Sequence, residues 1–488
     1  MERKERAQRV MNADRVAALV TGFDRSPAYR GLAEALRVLI GDGRIPAGVR
    51  LPSERELTVA LDVSRTTVTR AYADLREHGY LVSRRGSGSV AARPASRGHT
   101  DHLLAPAPTD PSETRVDLTC AAPAPGPGLL AAYQQAVEEL PSYLVGTGYF
   151  PTGLPALREA VADAYADRGL PTTPDQVIVV PGALAGVAVA ARALLRRGDR
   201  VLTESPTYPN AIATFTGHGA RLAGLDVDPD DGSSGVPGVA EALRQVSPAA
   251  AYLVPDFHNP TGRLLPDDRR AELGRALGRA GTPAIVDESM VQLFLDGQEM
   301  PAPMAVHARE TVSVGSLSKP FWGGLRVGWV RAEGSQVDAL LRARLSLDLG
   351  VPLLEQLVAT RLLREGTELL DRRRRQLREA RDAARSAVRA RLPDWRVTRP
   401  GGGLCLWCEL PAARSTALAR AAERHDVLLA PGPAFAPEGG LDRYVRIPYT
   451  QPAGVLTDAV GRVGDAWHEV REDRTTYRRP KVGRTMVA

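Results

Sequence analysis

The chain has 488 residues, of which 43% are hydrophobic and 25% charged, so it has the composition of a globular protein of about three domains. Only three cysteines are present, which excludes a disulfide-stapled scaffold. The charged first residues contain no apolar stretch typical of a signal peptide, and no run of apolar residues is long enough to span a membrane. We therefore expect a cytoplasmic protein with no membrane partner.

The charge is unevenly distributed. Residues 1–98 carry 18 Lys and Arg against 11 Asp and Glu, whereas residues 99–470 carry 39 against 44 and residues 471–488 carry 6 against 2. A basic N-terminal part on a mildly acidic body favours an anionic polymer as partner. A solvated basic face would give the same balance.

Composition and periodicity predict a multidomain chain. The predicted parts are a mainly helical module over 1–90 with its core at 26–90, a linker over 91–114, an α/β body over 115–470 and a basic tail over 471–488. Within the body we expect a smaller C-terminal αβ subdomain at about 365–470.

The body alternates apolar runs with helical stretches. The runs lie at 177–180, 250–255 and 283–288, and the helical stretches include 154–169 and 267–281. This alternation is typical of a large parallel sheet with crossover helices. One long polar helix is predicted over 364–391, with the arginines at 372–375 facing solvent.

The N-terminal module has the pattern of a winged helix-turn-helix. Apolar spacing predicts a helix over 28–42, Ser53 and Glu56 form a capping box for a second helix, and Ser64 caps a third after a tight turn. The second helix of such a pair can lie in the major groove of DNA. The following string, YLVSRRGSGSVAA, predicts two short strands around a basic turn, which is the wing.

As a string, residues 43–57, 63–68 and 86–88 strongly resemble the DNA-binding domain of the GntR family. Asp62 replaces the usual glycine of the turn, which Asp tolerates because it can adopt the left-handed conformation. The resemblance implies a double-stranded DNA operator as partner. The expected DNA contacts are Arg55, Ser64, Arg65, Thr66, Thr67, Arg70, Arg85 and Gly86.

In the body, Lys319 is the one internal lysine of a chain that otherwise uses arginine, the other two being Lys4 and Lys481. Arginine stays protonated and cannot condense with an aldehyde, so retention of this lysine in a glycine-rich loop favours a covalent role over a solvated surface position. Ser316 and Arg326 flank it and could converge on a phosphate.

Other polar groups follow predicted strands. Asp287 ends an apolar run, at the place where open α/β sheets bind ligands, and Asn259 lies in the turn-forming string PDFHNPTG. Tyr208 is a candidate stacking ring. The N–H groups of a helix start could cradle a phosphate at Gly182, Ala183 and Leu184.

This ordered set resembles the fold type I enzymes that use pyridoxal 5'-phosphate (PLP), the aspartate aminotransferase superfamily, from about residue 116 to 469. By this resemblance Lys319 is the catalytic residue and holds PLP covalently, Asp287 pairs with its pyridine nitrogen, and Asn259 donates to its phenolic oxygen. Tyr208 then stacks on the ring, and the phosphate lies among Ser316, Arg326, Gly182, Ala183 and Leu184. Substrate or effector contacts are expected from Arg446, which matches a carboxylate-binding arginine, and from the GYFPTGLPALRE segment containing Tyr149.

Two features depart from simple expectations. Met290 stands where many relatives place a tyrosine that also bonds the phenolic oxygen, which should weaken transamination and leave PLP binding intact. Cys405 and Cys408 have the spacing of half a metal motif, but no second pair exists, so we expect no metal.

Together the two resemblances match the MocR subfamily of GntR regulators, which links a winged helix to an aminotransferase-like domain and works as a homodimer, often head to tail. We expect a transcriptional regulator whose DNA binding is modulated by PLP or an amino compound. One alternative is a catalytic aminotransferase that carries a tethering winged helix. Another is a repressor whose body is only a dimerisation scaffold.

Overall fold

A computed structural model describes residues 10–20, 22–41, 44–46, 48–84, 88–92, 115–227 and 236–472. The wing tip with Arg85 and Gly86, nearly all of the expected linker and the tail from 473 onward lie outside the described residues. The domain boundaries given above stay predictions.

The N-terminal part is a winged helix-turn-helix. Its elements are α1 (Ala13–Leu19), α2 (Ala28–Gly41), α3 (Glu54–Leu61), α4 (Arg65–Glu77) and the antiparallel pair β1 (Leu81–Arg84) and β2 (Gly88–Ala91). The predicted capping box of Ser53 and Glu56 is confirmed, and Asp62 ends α3 in the left-handed conformation at φ 50°. Sequence reasoning did not predict α1, which packs on α3 and buries Val16 and Val20 in the common core.

The large sheet of the body follows β3 (Val116–Leu118) in the chain. Its order is β4-β10-β9-β8-β7-β5-β6, and its strands are β4 (Val177–Val180), β5 (Arg200–Ser205), β6 (Arg221–Asp226), β7 (Ala250–Leu253), β8 (Ala284–Asp287), β9 (Thr311–Ser316) and β10 (Gly328–Arg331). Strands β5 to β9 are parallel as predicted, whereas β10 runs antiparallel to both neighbours. The sheet is therefore mixed.

Helices surround this sheet. They are α5 (Leu129–Glu139), α6 (Pro155–Ala166), α7 (Ala183–Leu194), α8 (Pro209–His218), α9 (Val236–Val246), α10 (Asp267–Ala280), α11 (Met304–His307), α12 (Gly334–Leu345) and α13 (Leu353–Glu365). Strands such as β4, β7 and β8 are buried along their whole length, which explains their continuous apolar sequences. Within the described ranges, no helix is both long and apolar enough to cross a membrane.

The small subdomain contains a five-stranded sheet, of order β11-β12-β14-β13-β3, and three helices. Its elements are α14 (Thr367–Arg391), β11 (Arg396–Val397), β12 (Cys405–Glu409), α15 (Ser415–Arg424), β13 (Val427–Pro431), β14 (Tyr444–Pro448) and α16 (Ala453–Glu472). Because β3 pairs in parallel with β13, the residues after β3 lie against this subdomain.

The helix predicted over 364–391 is interrupted, because α13 ends before Gly366 and α14 begins after it. The expectation that the arginines of α14 face solvent is wrong for Arg373, which is buried and donates to the carbonyls of Ala124 and Phe321. Loop carbonyls packed beneath the helix require donors, and this guanidinium provides them.

We predict that Gly153→Ala destabilises the body. Gly153 has φ 106°, and a Cβ there would lie 2.1 Å from Cγ2 of the buried Val179. The strained backbone and the overpacked core together should lower the free energy of unfolding by roughly 2–5 kcal/mol. The control is Gly148→Ala, at φ 75° with open space around it, which should cost only about 1–2 kcal/mol. Thermal unfolding by calorimetry measures both, and equal shifts would contradict the packing argument.

Candidate functional site

The start of α4 presents polar side chains to solvent. Arg65 and Thr66 are exposed there, and Arg55 is exposed on α3. Ser64 caps α4 by accepting from the Thr67 amide, and the two hydroxyls lie 2.8 Å apart. These contacts hold the first turn of α4 in place. The exposed guanidinium of Arg65 remains available to an anionic partner.

Arg70 is placed differently from Arg65. Its guanidinium lies 4.0 Å from the ring centroid of Tyr29 on α2, a cation–π contact that holds the side chain against that helix. Arg70 therefore lies on the side of α4 that faces α2.

Sequence reasoning did not identify Arg50, an exposed residue beside the wing. Its backbone bridges to Val90, and a Cβ at Gly88 would lie 3.2 Å from its Nε atom. Arg50 precedes the capping box by three residues, but its position beside the wing depends on a long-range strand bridge.

In the body, a candidate phosphate cradle forms where β4 leads into α7 and β9 into the Lys319 loop. Gly182, at φ 91°, precedes α7, whose first amides, including those of Ala183 and Leu184, have no partners within the helix. The Arg326 guanidinium donates to the Pro181 carbonyl at 2.7 Å, and a Cβ on Gly182 would lie 2.8 Å from it. A side chain at Gly182 would displace this guanidinium and would strain the backbone at its positive φ.

Two hydroxyls complete the cradle. The Oγ atoms of Ser316 and Ser318 lie 3.1 Å apart, and both residues are buried. Sequence reasoning missed Ser318, although the repeated serine of SLSK was visible beside the lysine.

Asp287 lies at the carboxyl end of β8 as predicted, and its carboxylate is oriented from both sides. Tyr252 donates its hydroxyl to Oδ2 at 3.1 Å, and the Ser289 amide donates to Oδ1 at 2.9 Å. The Ser289 hydroxyl also donates to Oδ1. Burial, and secondarily the charge of Asp287, raises the pKa of Tyr208 to about 12, so its phenol stays protonated near the carboxylate.

Lys319 directs its amine toward the segment after β3. Its Nζ atom donates to the Ala121 carbonyl at 2.9 Å. Burial lowers the pKa of the Lys319 ammonium, only partly opposed by the nearby Cys120 thiol. A neutral amine is the nucleophilic form, so the environment favours condensation with an aldehyde.

Arg446 lies on β14, near enough to Lys319 for its charge to act on that amine, and is only 2% exposed. Its guanidinium donates to Asn259 Oδ1 at 3.3 Å and to the Thr119 carbonyl, and it lies 5.0 Å from the Phe435 ring centroid. Its Nε atom has no hydrogen-bond partner. Among the described residues no carboxylate forms an ion pair with this buried cation.

The loop that carries Asn259 is fixed by buried ion pairs. Arg263 donates to Glu204 at 2.7 Å, and Arg270 donates to Asp256 at 2.8 Å. Glu204 also accepts from the Val254 amide at 2.7 Å, so both ends of the loop are held to the sheet. Asn259 therefore has a defined position toward the pocket.

Met290 and Tyr149 differ from the other candidates. Met290 is buried in the core and offers no hydroxyl donor. Tyr149 is exposed, close in sequence to the exposed Leu144 and Val145. The Lys319, Asp287, Asn259 and Arg446 positions converge within one chain, whereas Tyr149 lies on its surface.

Cys405 and Cys408 are three residues apart on β12, so their side chains point to opposite faces of the strand. This geometry does not suit a shared metal ion. Among the residues that the structure describes, no group of His, Cys, Asp and Glu side chains could hold one.

The pocket fits PLP in its donor chemistry. The Gly182 cradle offers amides, hydroxyls and a guanidinium suited to a phosphate, and the uncharged form of the Lys319 amine suits an aldehyde. The unpartnered Nε of Arg446 suits a carboxylate at the opposite end.

Comparison with known proteins assigns a family to each part of the chain. Residues 28–90 match the gntR family of bacterial regulatory proteins, and residues 144–463 match the aminotransferase class I and II family. The chain belongs to the aminotransferase class I and II family and, with its gntR domain, to the MocR subfamily.

Two relatives that match more than three quarters of the chain are named as regulators. The chain is 31% identical over 402 residues to the pyridoxine biosynthesis transcriptional regulator PdxR of Corynebacterium glutamicum, covering 78% of this chain and 83% of that one. It is 28% identical over 394 residues to the probable rhizopine catabolism regulatory protein MocR of Rhizobium meliloti, covering 76% and 78%. A similar solved structure is LysN, an α-aminoadipate aminotransferase of Thermus thermophilus complexed with N-(5'-phosphopyridoxyl)-L-leucine. It has a TM-score of 0.66 and 28% identity over 73% of this chain and 93% of that chain.

We predict that the Lys319 amine of this MocR-type chain loses its proton at a lower pH than an exposed lysine. The chain has only three lysines, so selective ¹³Cε-lysine labelling gives three NMR signals, of which Lys319→Arg should remove one. The signal that disappears should be the one whose titration midpoint lies lowest, because burial disfavours the ammonium. A midpoint equal to those of Lys4 and Lys481 would contradict this.

Proposed function

We propose that the chain is a DNA-binding transcriptional regulator whose affinity for its operator depends on PLP and on an amino compound held in the body pocket. The observation that carries this proposal is the buried Arg446 guanidinium, which no carboxylate of the described residues neutralises. A buried charge without a partner is costly, so the site favours an anionic ligand. A scaffold with no ligand would have no need for such a cation.

Each pocket residue has a proposed role. Lys319 attaches the cofactor, Asp287 holds the proton of the pyridine nitrogen, and Asn259 donates to the phenolic oxygen. Tyr208 covers one ring face. The phosphate is bound by Ser316, Ser318, Arg326 and the amides of residues 182–184. When bound, PLP supplies an aldehyde that condenses with amines and an electron-poor ring.

Arg446 selects the effector class. A planar guanidinium binds a carboxylate through two parallel hydrogen bonds, so the effector we propose is an amino compound with a carboxylate. Its Nη1 atom also donates to the Asn259 oxygen, so the amide nitrogen of Asn259 is the group that would donate to the phenolic oxygen of PLP.

The DNA-binding face is proposed to comprise Arg55 and the start of α4, with Ser64, Thr66 and Thr67 supporting Arg65. Arg70, Arg85 and Gly86 remain proposed contacts, and Arg50 joins them because it lies beside the wing. We further propose a homodimer, often head to tail in this subfamily. The exposed Leu144, Val145 and Tyr149 form an apolar surface suited to a second copy.

Transamination is the second candidate function. It is favoured by the convergence of Lys319, Asp287 and Asn259 and by the likeness to LysN. Met290 works against it, because the phenolic oxygen then loses one donor that would stabilise its charge. Conversion of an amino donor and a keto acid at ordinary enzyme rates would favour this candidate.

We predict that PLP gives the wild-type protein a visible absorption band that Lys319→Ala lacks, and that a carboxylated amino compound shifts it. Arg446→Gln should keep the band and bind that compound about 10–100-fold more weakly, because one charged hydrogen-bonding partner is lost. Amines without a carboxylate serve as the control, since their affinity should not change. Absence of a band with excess PLP would leave only the scaffold alternative.

We predict that Arg65→Ala weakens operator binding and lowers the slope of log affinity against log salt by about 1, because one phosphate contact is removed. The matched control is Arg396→Ala on β11, which is highly exposed on the body. Fluorescence anisotropy over a salt series measures both variants. An unchanged slope would contradict the assignment of Arg65 to the DNA-binding face.

A further inference from the structure

A cleft opens in the body beside the residues that directly follow Lys319, and none of the proposed PLP or effector contacts lines it. It encloses about 310 Å³ out to the open solvent. Its walls are the segment between β3 and α5, the loop after Lys319 and the junction of α13 with α14. The apolar residues that line it are Pro127, Leu129, Pro320, Phe321, Leu362 and Leu369. We call it the Arg373 cleft, after the buried charged residue in its wall.

Arg373 is only 8% exposed, and all its hydrogen-bond partners among the described residues are backbone carbonyls. Its Nε atom donates to the Pro320 carbonyl at 3.4 Å, and Nη2 donates to the carbonyls of Ala124 and Phe321. A guanidinium has five N–H donors, so these three bonds leave the two donors of Nη1. No acceptor within the described ranges reaches Nη1. Because Arg373 lines the cleft, Nη1 is the group that would meet a ligand there.

The charge of Arg373 is not neutralised by any carboxylate of the described residues. Burial lowers the pKa of Arg373, and no acidic side chain acts against this effect. Arginine nevertheless stays protonated inside proteins, so the buried group is a cation. Neutral carbonyls offset only part of the cost of removing such a charge from water. An anion bound in the cleft would offset more of it.

The lining of the cleft disfavours a ligand that carries an ammonium group. None of the lining residues is acidic, so an ammonium would lose its water without gaining a charged partner. Arg372, the other charged residue in the lining, already pairs with Glu368 at 3.0 Å. This cleft therefore differs from the proposed PLP pocket, where an amine could condense with the cofactor.

The walls of the cleft suit a compact apolar group. Leu129, Phe321 and Leu362 are buried in the main core of the body, so their positions are fixed by packing. Gly126 leaves the approach to the guanidinium open. A Cβ at Gly126 would lie 3.5 Å from Nη2 of Arg373, an ordinary contact distance, and it would meet no other atom within 4 Å.

We propose that the Arg373 cleft binds a small carboxylic acid that has a compact apolar tail and no amino group. The carboxylate accepts from Nη1 of Arg373, and the tail packs against Phe321 and the leucines of the walls. This site goes beyond the proposed function, because it requires neither PLP nor DNA.

The probe that tests this proposal is 4-fluorobenzoate, whose ring and carboxylate have the required chemistry. Broadening of its ¹⁹F NMR signal by the full-length protein measures the affinity. Arg446 could also bind a carboxylate, so all variants are compared in the Arg446→Gln background. In that background the probe should still bind, and Arg373→Gln should weaken its binding about 10–100-fold, because one charged hydrogen-bonding partner is lost. The uncharged 4-fluorobenzyl alcohol should bind equally with or without Arg373→Gln.

A second variant keeps the guanidinium, since Arg373→Gln also removes bonds to three carbonyls. Gly126→Val places a side chain in the cleft beside Nη2, at a position without positive φ. It should weaken binding of 4-fluorobenzoate and leave the carbonyl bonds of Arg373 in place. The matched control is Arg372→Gln, which removes a charge of the same lining that already has a partner and should leave the affinity unchanged. Thermal unfolding shows that each variant is folded.

Three results would overturn the proposal. Loss of all binding in Arg446→Gln would mean that the probe had occupied only the Arg446 site. Equal binding with and without Arg373→Gln, or with and without Gly126→Val, would place the probe elsewhere on the protein. Failure of the proposed function is distinct from these results, because it would appear as a missing PLP band or an unresponsive operator affinity while the probe still bound the cleft.

Discussion

Arg446 brings a positive charge into the interior of the protein, and all its partners among the described residues are neutral. Removing a guanidinium from water costs several kcal/mol, and an amide oxygen, one carbonyl and an aromatic face only partly offset this cost. The surrounding structure must therefore hold these groups in place, and the anionic ligand that we propose would offset the remaining cost. Asn259, the segment after β3 and the Phe435 ring all contact this one cation.

The rigidity that this requires comes from a second layer of buried charges. Arg263 with Glu204 and Arg270 with Asp256 hold the loop after β7, so that Asn259 keeps its place although it lies outside regular structure. Buried ion pairs of this kind contribute little net stability but fix a single arrangement of the chain. The same logic applies where the winged helix meets the small subdomain, because Glu34 lies 3.5 Å from the Arg414 guanidinium there.

Local signals in the sequence were reliable where the physics is local. The capping box at Ser53, the left-handed Asp62 and the strand at 177–180 agree with the structure because each depends on residues a few positions apart. Likewise, Lys319 stood out by composition alone. Tyr252, which orients Asp287, gave no such signal, because its hydroxyl meets a neighbouring strand 35 residues away. Arg373 looked solvated for the same reason, since its carbonyl partners lie in distant loops.

By itself, then, the sequence determined the winged helix and the alternating α/β body, because motif spacing and hydrophobic period encode them directly. Only the tertiary structure decided that β10 runs antiparallel, that α1 joins the winged-helix core and that Arg446 is buried without a carboxylate partner among the described residues. It also decided that the Arg414 guanidinium lies 3.5 Å from Glu34, 380 positions away in the chain. These are contacts between residues far apart in sequence, and no local pattern records which distant group a buried charge will face.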